Sequence, residues 1–272
     1  MSDRSTETSR SFARDGYVVL PGVLTEAEVD TLRGICGARL TAKGTEEMLP
    51  AEFLSVPELA GLPFRDDVIG VLKDLLGDDV AVYPNVTVRK DLYVGWHIDE
   101  AFIGAGREYV WSPAFRHVQG AFYLQENTDE SGGGLDVVPG SHLTSLDGYG
   151  RVQPDLESAT AITRSTHGTV TIRSRPGDLV LWHARLIHAS TGAGRPVSGP
   201  AKFGVFFSAT ASDPYAQNRY LTHLLSKRVL VVDGEPVEQP RHAAVLDIRW
   251  PASYPDWLRD QIAKAGVTAA TF

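Results

Sequence analysis

Between Val80 and Ser208 the chain reads as a succession of short β-rich runs, and this pattern constrains its fold more than any other feature. The runs are Val80–Tyr83, Val86–Val88, Val118–Leu124, Leu135–Val138, Thr169–Arg173, Leu179–Trp182 and Phe203–Ser208. Turn-forming stretches separate them: Ser131-Gly132-Gly133-Gly134, Pro139-Gly140-Ser141 and Pro176-Gly177-Asp178. Many short strands with Gly/Pro punctuation build a sandwich or barrel. No internal repeat, low-complexity segment or linker interrupts them, so the expectation is one all-β core.

Helical signals cluster on the N-terminal side. Residues 1–10 read as a flexible tail ahead of a single domain spanning 11–272. Gly16 to Leu20 is a short β-type run closed by Pro21-Gly22. Thr25-Glu26-Ala27-Glu28 is a capping box, with Thr25 set to accept from the N3 amide and Glu28 to reach back. Val29, Leu32, Ile35 and Leu40 follow at helical spacing, predicting a helix to about Lys43-Gly44. A second helix is predicted over Asp66–Leu76, with Val68, Val71, Leu72 and Leu75 on one face and Gly77 as its stop. A last one is predicted over Pro255–Ala265.

Composition excludes several classes. At 272 residues the chain can bury one large core, and 43% apolar with 22% charged residues is ordinary globular usage. A net charge of −8 repels phosphate backbones and anionic membranes, so neither nucleic acid nor lipid is an expected partner. A lone cysteine, Cys36, allows no intrachain disulfide, which fits a cytoplasmic location. The first ten residues lack the apolar core of a signal peptide, Ala270-Thr271-Phe272 is no peroxisomal address, and no apolar run reaches the ~20 residues of a membrane helix.

Two motifs carry chemistry. In His97-Ile98-Asp99 an imidazole and a carboxylate two residues apart face the same side of a strand and can meet one metal ion. Far downstream, Gly177 to Ser190 offers a turn, a buried-looking strand and two histidines, His183 and His188. Their odd separation means that a straight strand points only one of them inward; spacing leaves both open as the third ligand. Two imidazoles and one carboxylate on one side of a metal leave positions free for substrate and O2, the facial arrangement of non-haem Fe(II) oxygenases. His142 reads as structural, and His117, His167, His223 and His242 have no ligand-like context.

At this point the chain resembles the phytanoyl-CoA dioxygenase family of Fe(II)/2-oxoglutarate-dependent oxygenases, which includes ectoine hydroxylases. The resemblance runs from about residue 11 to 210. It is carried by Trp96-His97-Ile98-Asp99, by Gln119–Leu124 leading into Gly133-Gly134-Leu135-Asp136-Val137-Val138-Pro139-Gly140-Ser141-His142, and by Gly177–Ser190. Phe12–Pro21 followed by the helix from Thr25 is similar to the family's start. The resemblance implies a mainly β, double-stranded β-helix (jelly-roll, cupin-like) core with flanking N-terminal helices. It implies His97, Asp99 and His188 as the catalytic metal triad, and Fe(II), 2-oxoglutarate and O2 as cofactor and cosubstrates. It also implies an arginine after the distal histidine for the far carboxylate of 2-oxoglutarate, and a hydroxyl two residues beyond that histidine, here Ser190.

The chain departs from that pattern where the arginine belongs, since the position about eleven residues on is Gly199. Lys202, before Phe203-Gly204-Val205-Phe206-Phe207, takes the role if the loop is three residues longer; Arg195 is the alternative. Lysine holds a carboxylate as a point charge, with less geometric control than arginine. Asn85, Thr87 and Arg89 alternate along a strand ahead of the metal motif and are candidates for the pocket wall, as is Gln119. A solvent-facing strand alternates in the same way.

The chemistry implied is oxidation of a small-molecule metabolite, with succinate and CO2 as co-products. Related halogenases carry a small residue where Asp99 stands, so a carboxylate there points to hydroxylation, desaturation, cyclisation or epimerisation. The stretch between Asp99 and Val118, with Phe102, Arg107, Glu108, Tyr109, Trp111 and Arg116, is expected as a lid or pocket wall, with Asp213–Leu225 closing the other side. Its mixed aromatic and charged content suggests a polar or amphipathic substrate. The competing class is a cupin-like isomerase or small-molecule binding protein without 2-oxoglutarate chemistry. A nucleic-acid demethylase is disfavoured by the acidic charge.

Overall fold

The structure is a computed structural model that describes residues 3–99, 115–143, 164, 168–192, 199–212, 230–232, 235–237 and 254–269. Arg195, the greater part of the expected lid (Phe102 to Trp111), the segment Asp213–Leu225, and His167, His223 and His242 lie outside the described residues.

The N-terminal third is mostly helical. Helix α1 (Asp3–Asp15) covers residues expected as a loose tail. The sequence there shows little apolar periodicity; the helix is held from outside, by burial of Phe12 and by the Ser9 hydroxyl, which donates to the Asp74 carbonyl at 3.2 Å. Strand β1 (Tyr17–Leu20) leads to α2 (Glu26–Lys43). Its capping box forms as expected: the Thr25 amide donates to Glu28 Oε2 at 2.7 Å, and Thr25 Oγ1 accepts from the Glu28 amide at 3.3 Å. Gly44 ends the helix at φ +63°, a left-handed conformation that glycine adopts without steric penalty. Strand β2 (Glu47–Met48) and the short helices α3 (Pro50–Leu54) and α4 (Pro57–Ala60) follow. Helix α5 (Asp66–Leu76) has the predicted bounds but is rotated. It buries Ile69 and Leu76, while Val71 and Leu75 are only partly covered.

The remaining strands are β3 (Val80–Lys90), β4 (His117–Tyr123), β5 (Leu135–Val137), β6 (Val170–Ile172), β7 (Leu179–His183), β8 (His188–Ser190), β9 (Phe203–Ala211), β10 (Leu230–Val232), β11 (Glu235–Val237) and, after helix α6 (Asp256–Ala265), β12 (Thr268–Ala269). The large sheet has the order β1-β7-β4-β9-β3-β12, with β2 also on β3; a small sheet has the order β6-β5-β8, and β10 pairs with β11. The two runs expected at 80–83 and 86–88 are one strand. Four residues of β3 step past two of β9 between Tyr83 and Thr87, around Pro84. Proline has no N–H to give a ladder, so the irregularity sits there.

Strand alternation gives the large sheet two different faces. One carries Val82, Val118, Phe122, Leu179, Leu181, Val205 and Phe207 into the core beneath α2 and α5. Each large apolar side chain buried there contributes about 1.5–3 kcal/mol. The other face carries Ala121, Tyr123, Val180, Trp182 and Phe206 toward Leu135, Val137 and Ile172 of the small sheet. Two facing sheets with helices packed outside the larger one make the expected jelly roll. The functional groups lie between the sheets.

Candidate metal centre and cosubstrate pocket

His188 opens β8 in the small sheet. His97 lies beside it: each backbone amide donates to the other's carbonyl at 2.9 Å, an isolated antiparallel bridge rather than a strand. Asp99 follows, its amide donating to the Ala184 carbonyl at 3.2 Å. The expected strand geometry of His97-Ile98-Asp99 is therefore replaced by one bridge running into a turn, which still aims both side chains inward. One ligand atom from each of His97, Asp99 and His188 falls within 4.8 Å of the others. Asp99 Oδ1 is 3.7 Å from Nε2 of each imidazole.

The hydrogen bonds around this triad suit a metal ion. Nδ1 of His97 donates to the Gly95 carbonyl at 2.7 Å, and Nδ1 of His188 to the Leu186 carbonyl at 2.8 Å. Both bonds fix the proton on Nδ1 and leave the Nε2 lone pairs facing Asp99. Trp182 Nε1 donates to Asp99 Oδ2 at 3.0 Å, leaving Oδ1 toward the imidazoles. Burial alone would raise the Asp99 carboxyl, but His188 and His97 overcome it and hold it well below the usual carboxylate range. Burial, and next His97, push His188 down to about 4. A His188 imidazole held neutral and an ionised Asp99 carboxylate are protonation states that a divalent metal binds.

Spacing left His183 open as a ligand; the structure puts it elsewhere. Trp182 faces the pocket, so its neighbour points the opposite way. The His183 ring lies 5.3 Å from that of His142, 6.3 Å from Phe12 and 6.4 Å from Phe115. Burial, then Arg185, lower its pKa well below that of a free histidine. His142 is buried too and donates through Nε2 to the Ala13 carbonyl at 3.2 Å.

A cleft partly open to solvent adjoins the triad. Asn85, Thr87, Arg89, Gln119, Ser190 and Lys202 all line it, whereas Arg116, expected in the lid or pocket wall, does not; its guanidinium lies beside Gly77 instead. The Thr87 hydroxyl is committed to the Met48 carbonyl at 2.8 Å. Arg89 Nε donates to Glu47 Oε1 at 3.0 Å, and its guanidinium lies 5.5 Å from the Phe206 ring centre. Ser190 Oγ accepts from the Val94 amide at 3.0 Å, which leaves its own proton to give.

Lys202 is only 5% exposed. Its amide donates to Asp91 Oδ1 at 2.8 Å and its carbonyl accepts from the Asp91 amide at 2.9 Å, which fixes where the stem starts. The stem passes over Gly133, where an added Cβ would lie 2.8 Å from its Cγ and Cδ. Nζ donates to the Glu126 carbonyl at 3.3 Å, one of three donors it carries. Burial lowers the ammonium pKa, and Asp91 opposes the shift.

Trp182 and Tyr123 line the cleft as well and were missed from sequence. Both lie in runs recognised as strands. The parity that puts Trp182 opposite Gln119 would have marked it, but strands buried on both faces show no polar alternation to reveal parity.

Known proteins agree with this geometry. The family of phytanoyl-CoA dioxygenase (PhyH) matches residues 12–194. An ectoine dioxygenase from Sphingopyxis alaskensis is 25% identical over 274 residues, covering 85% of this chain and 84% of that protein. Two solved structures share the fold. EctD from S. alaskensis with bound Fe superposes at a TM-score of 0.60 with 24% identity, over 78% of this chain and 77% of that one. SnoK, a non-haem α-ketoglutarate-dependent carbocyclase from nogalamycin biosynthesis, superposes at 0.61 with 22% identity, over 88% and 94%. The triad, the jelly roll that presents it and the match over two-thirds of the sequence agree: this chain belongs to the phytanoyl-CoA dioxygenase family of Fe(II)/2-oxoglutarate-dependent oxygenases.

Proposed function

We propose that residues 11–272 form a single catalytic domain that oxidises a small polar or amphipathic metabolite. Fe(II) is held by His97, Asp99 and His188, and 2-oxoglutarate is anchored by Lys202. The observation that carries this reading is the triad itself: three ligand atoms, each held in its metal-binding form by an outer hydrogen bond, on one side of an open cleft. When bound, iron and 2-oxoglutarate supply O2 activation coupled to decarboxylation, yielding succinate, CO2 and an oxidised substrate.

The chain's own residues supply position and charge. Asp99 fills the place that a halide would need, which favours hydroxylation, desaturation, cyclisation or epimerisation over halogenation. Lys202, itself buried, offers a cation to the far carboxylate, and the Ser190 hydroxyl on the same cleft wall can donate to it. Arg89, Gln119 and Asn85 complete the polar wall. The similarity to ectoine dioxygenase supports a small-molecule substrate. The net charge of −8 speaks against nucleic acid, and a single buried thiol suits a cytoplasmic enzyme. No helix among the described residues is long and apolar enough to cross a membrane.

The test is anaerobic. Fe(II) plus 2-oxoglutarate should give the wild-type protein a metal-to-ligand charge-transfer band, and O2 should then give succinate. His97→Ala should give neither. A wild-type protein that shows no band and forms no succinate sinks the reading.

A further inference from the structure

Gly204 leaves a gap on the pocket face of the large sheet. Tyr123 on β4 and Arg89 on β3 both stand directly opposite it in the pairing register. Directly opposed side chains sit ~5 Å apart and diagonal ones ~7–8 Å, so Lys202, two residues before Gly204, is a diagonal neighbour of Tyr123. The Phe206 ring folds over the glycine, where an added Cβ would lie 2.6 Å from it, and floors the gap. Polar heads from three neighbouring chain segments thus open on one part of the cleft.

The three heads differ in what already holds them. Arg89 is answered by Glu47 and lies over the Phe206 ring. The Lys202 ammonium makes one long bond, to the Glu126 carbonyl. Tyr123 is 3% exposed, yet its hydroxyl has no hydrogen-bond partner among the described residues. Its ring is fixed edge-on to Phe206 at 6.3 Å and 87°. The ring is buried, but the hydroxyl oxygen is not sealed off: Tyr123 lines the cleft, where a ligand oxygen can accept the phenol proton.

We propose that the Tyr123 hydroxyl donates a hydrogen bond to the distal carboxylate of 2-oxoglutarate beside Lys202, the two residues together standing in for a single arginine. This rests on the reading of Lys202 as the anchor. A guanidinium presents two parallel N–H groups to both oxygens of a carboxylate, whereas an ammonium is a compact charge with no preferred plane. A phenol on a central strand, with only two side-chain torsions, supplies the missing fixed direction. Burial pushes its pKa well above 10, with Arg89 opposing, so the donor proton is present at every working pH. The lysine replacement is then a change in the donor set and not a loss of one.

The test is anaerobic binding to the Fe(II) enzyme, read by the charge-transfer band. Two probes are titrated: 2-oxoglutarate, and pyruvate, a 2-oxo acid without the distal carboxylate. Tyr123→Phe should weaken 2-oxoglutarate by about ten- to a hundredfold and leave pyruvate unchanged. Lys202→Met should behave likewise, and the thermal midpoint of Tyr123→Phe should equal that of wild type, because no partner is orphaned. If Tyr123→Phe binds 2-oxoglutarate as wild type does while Lys202→Met does not, the tyrosine is no contact and the proposal falls, leaving the anchor intact. Equal weakening of both probes assigns Tyr123 a merely structural role. A Lys202→Met enzyme that binds 2-oxoglutarate normally removes the anchor, and the proposal with it.

Discussion

Removing the indole N–H of Trp182 should loosen the metal without removing a ligand. In Trp182→Phe, Asp99 Oδ2 loses the donor that holds it at 3.0 Å. A hydrogen bond to an ionised acceptor contributes about 1.5–3 kcal/mol, and about 1.4 kcal/mol is a tenfold change in affinity. The upper limit is therefore about a hundredfold loss in Fe(II) affinity, the scale known for outer partners of metal ligands. The backbone of Asp99 stays anchored to the Ala184 carbonyl, so the carboxylate swings rather than leaves, and about tenfold is the expected value. The indole also packs on His188 at 5.5 Å and on Phe206 at 6.5 Å. Shrinking it should cost about 1–3 kcal/mol of stability as well. The two effects separate if Fe(II) is titrated anaerobically well below both melting points, with apo-protein unfolding measured alongside. A variant that loses stability but binds Fe(II) within twofold of wild type would show that the indole fills space and does not position Asp99.

Three further outcomes follow from the same contacts. His183→Ala should lower stability by about 2–3 kcal/mol in urea titrations, by emptying the space between Phe12, Phe115 and His142, with Fe(II) affinity unchanged; loss of the metal would return His183 to the ligand set. Gly133→Ala should lower the thermal midpoint and weaken 2-oxoglutarate, because the residue sits at φ +85° and its Cβ would press on the Lys202 stem; wild-type values for both would mean that the slot is slack. His142 and His183 are both depressed by burial. The unfolded chain therefore binds more protons than the native one below the ordinary histidine pKa of about 6.5, and stability is lost as pH falls through that value. Urea midpoints should drop between pH 7 and 5, and a flat profile over that range would contradict the buried-neutral assignment.

What was legible in the sequence was what local chemistry dictates. Thr25 and Glu28 announce α2 because a capping box satisfies its donors within four residues. His97 and Asp99 lie two apart, and a single backbone bridge to His188 suffices to aim them together. Choosing His188 over His183 needed either a family pattern or the position of β7, since parity cannot be read along a strand buried on both faces. The rest of the site is non-local. Trp182 reaches Asp99 across 83 positions and Lys202 reaches Glu126 across 76. The slot for the lysine depends on a glycine having no side chain at position 133. Pairing register decides such contacts, and register follows from which faces are buried and how each turn is built. The four-for-two step around Pro84 makes the point within one strand. It is invisible as a hydrophobic pattern, yet it sets which residues of β3 stand opposite Phe206 and Gly204, and so delivers Thr87 and Arg89 to the cleft. Sequence motifs thus specify the metal, which few residues can hold. The pocket's selectivity resides in register, where a one-residue slip would replace Arg89 with its neighbours Val88 or Lys90 and exchange the face that meets the ligand.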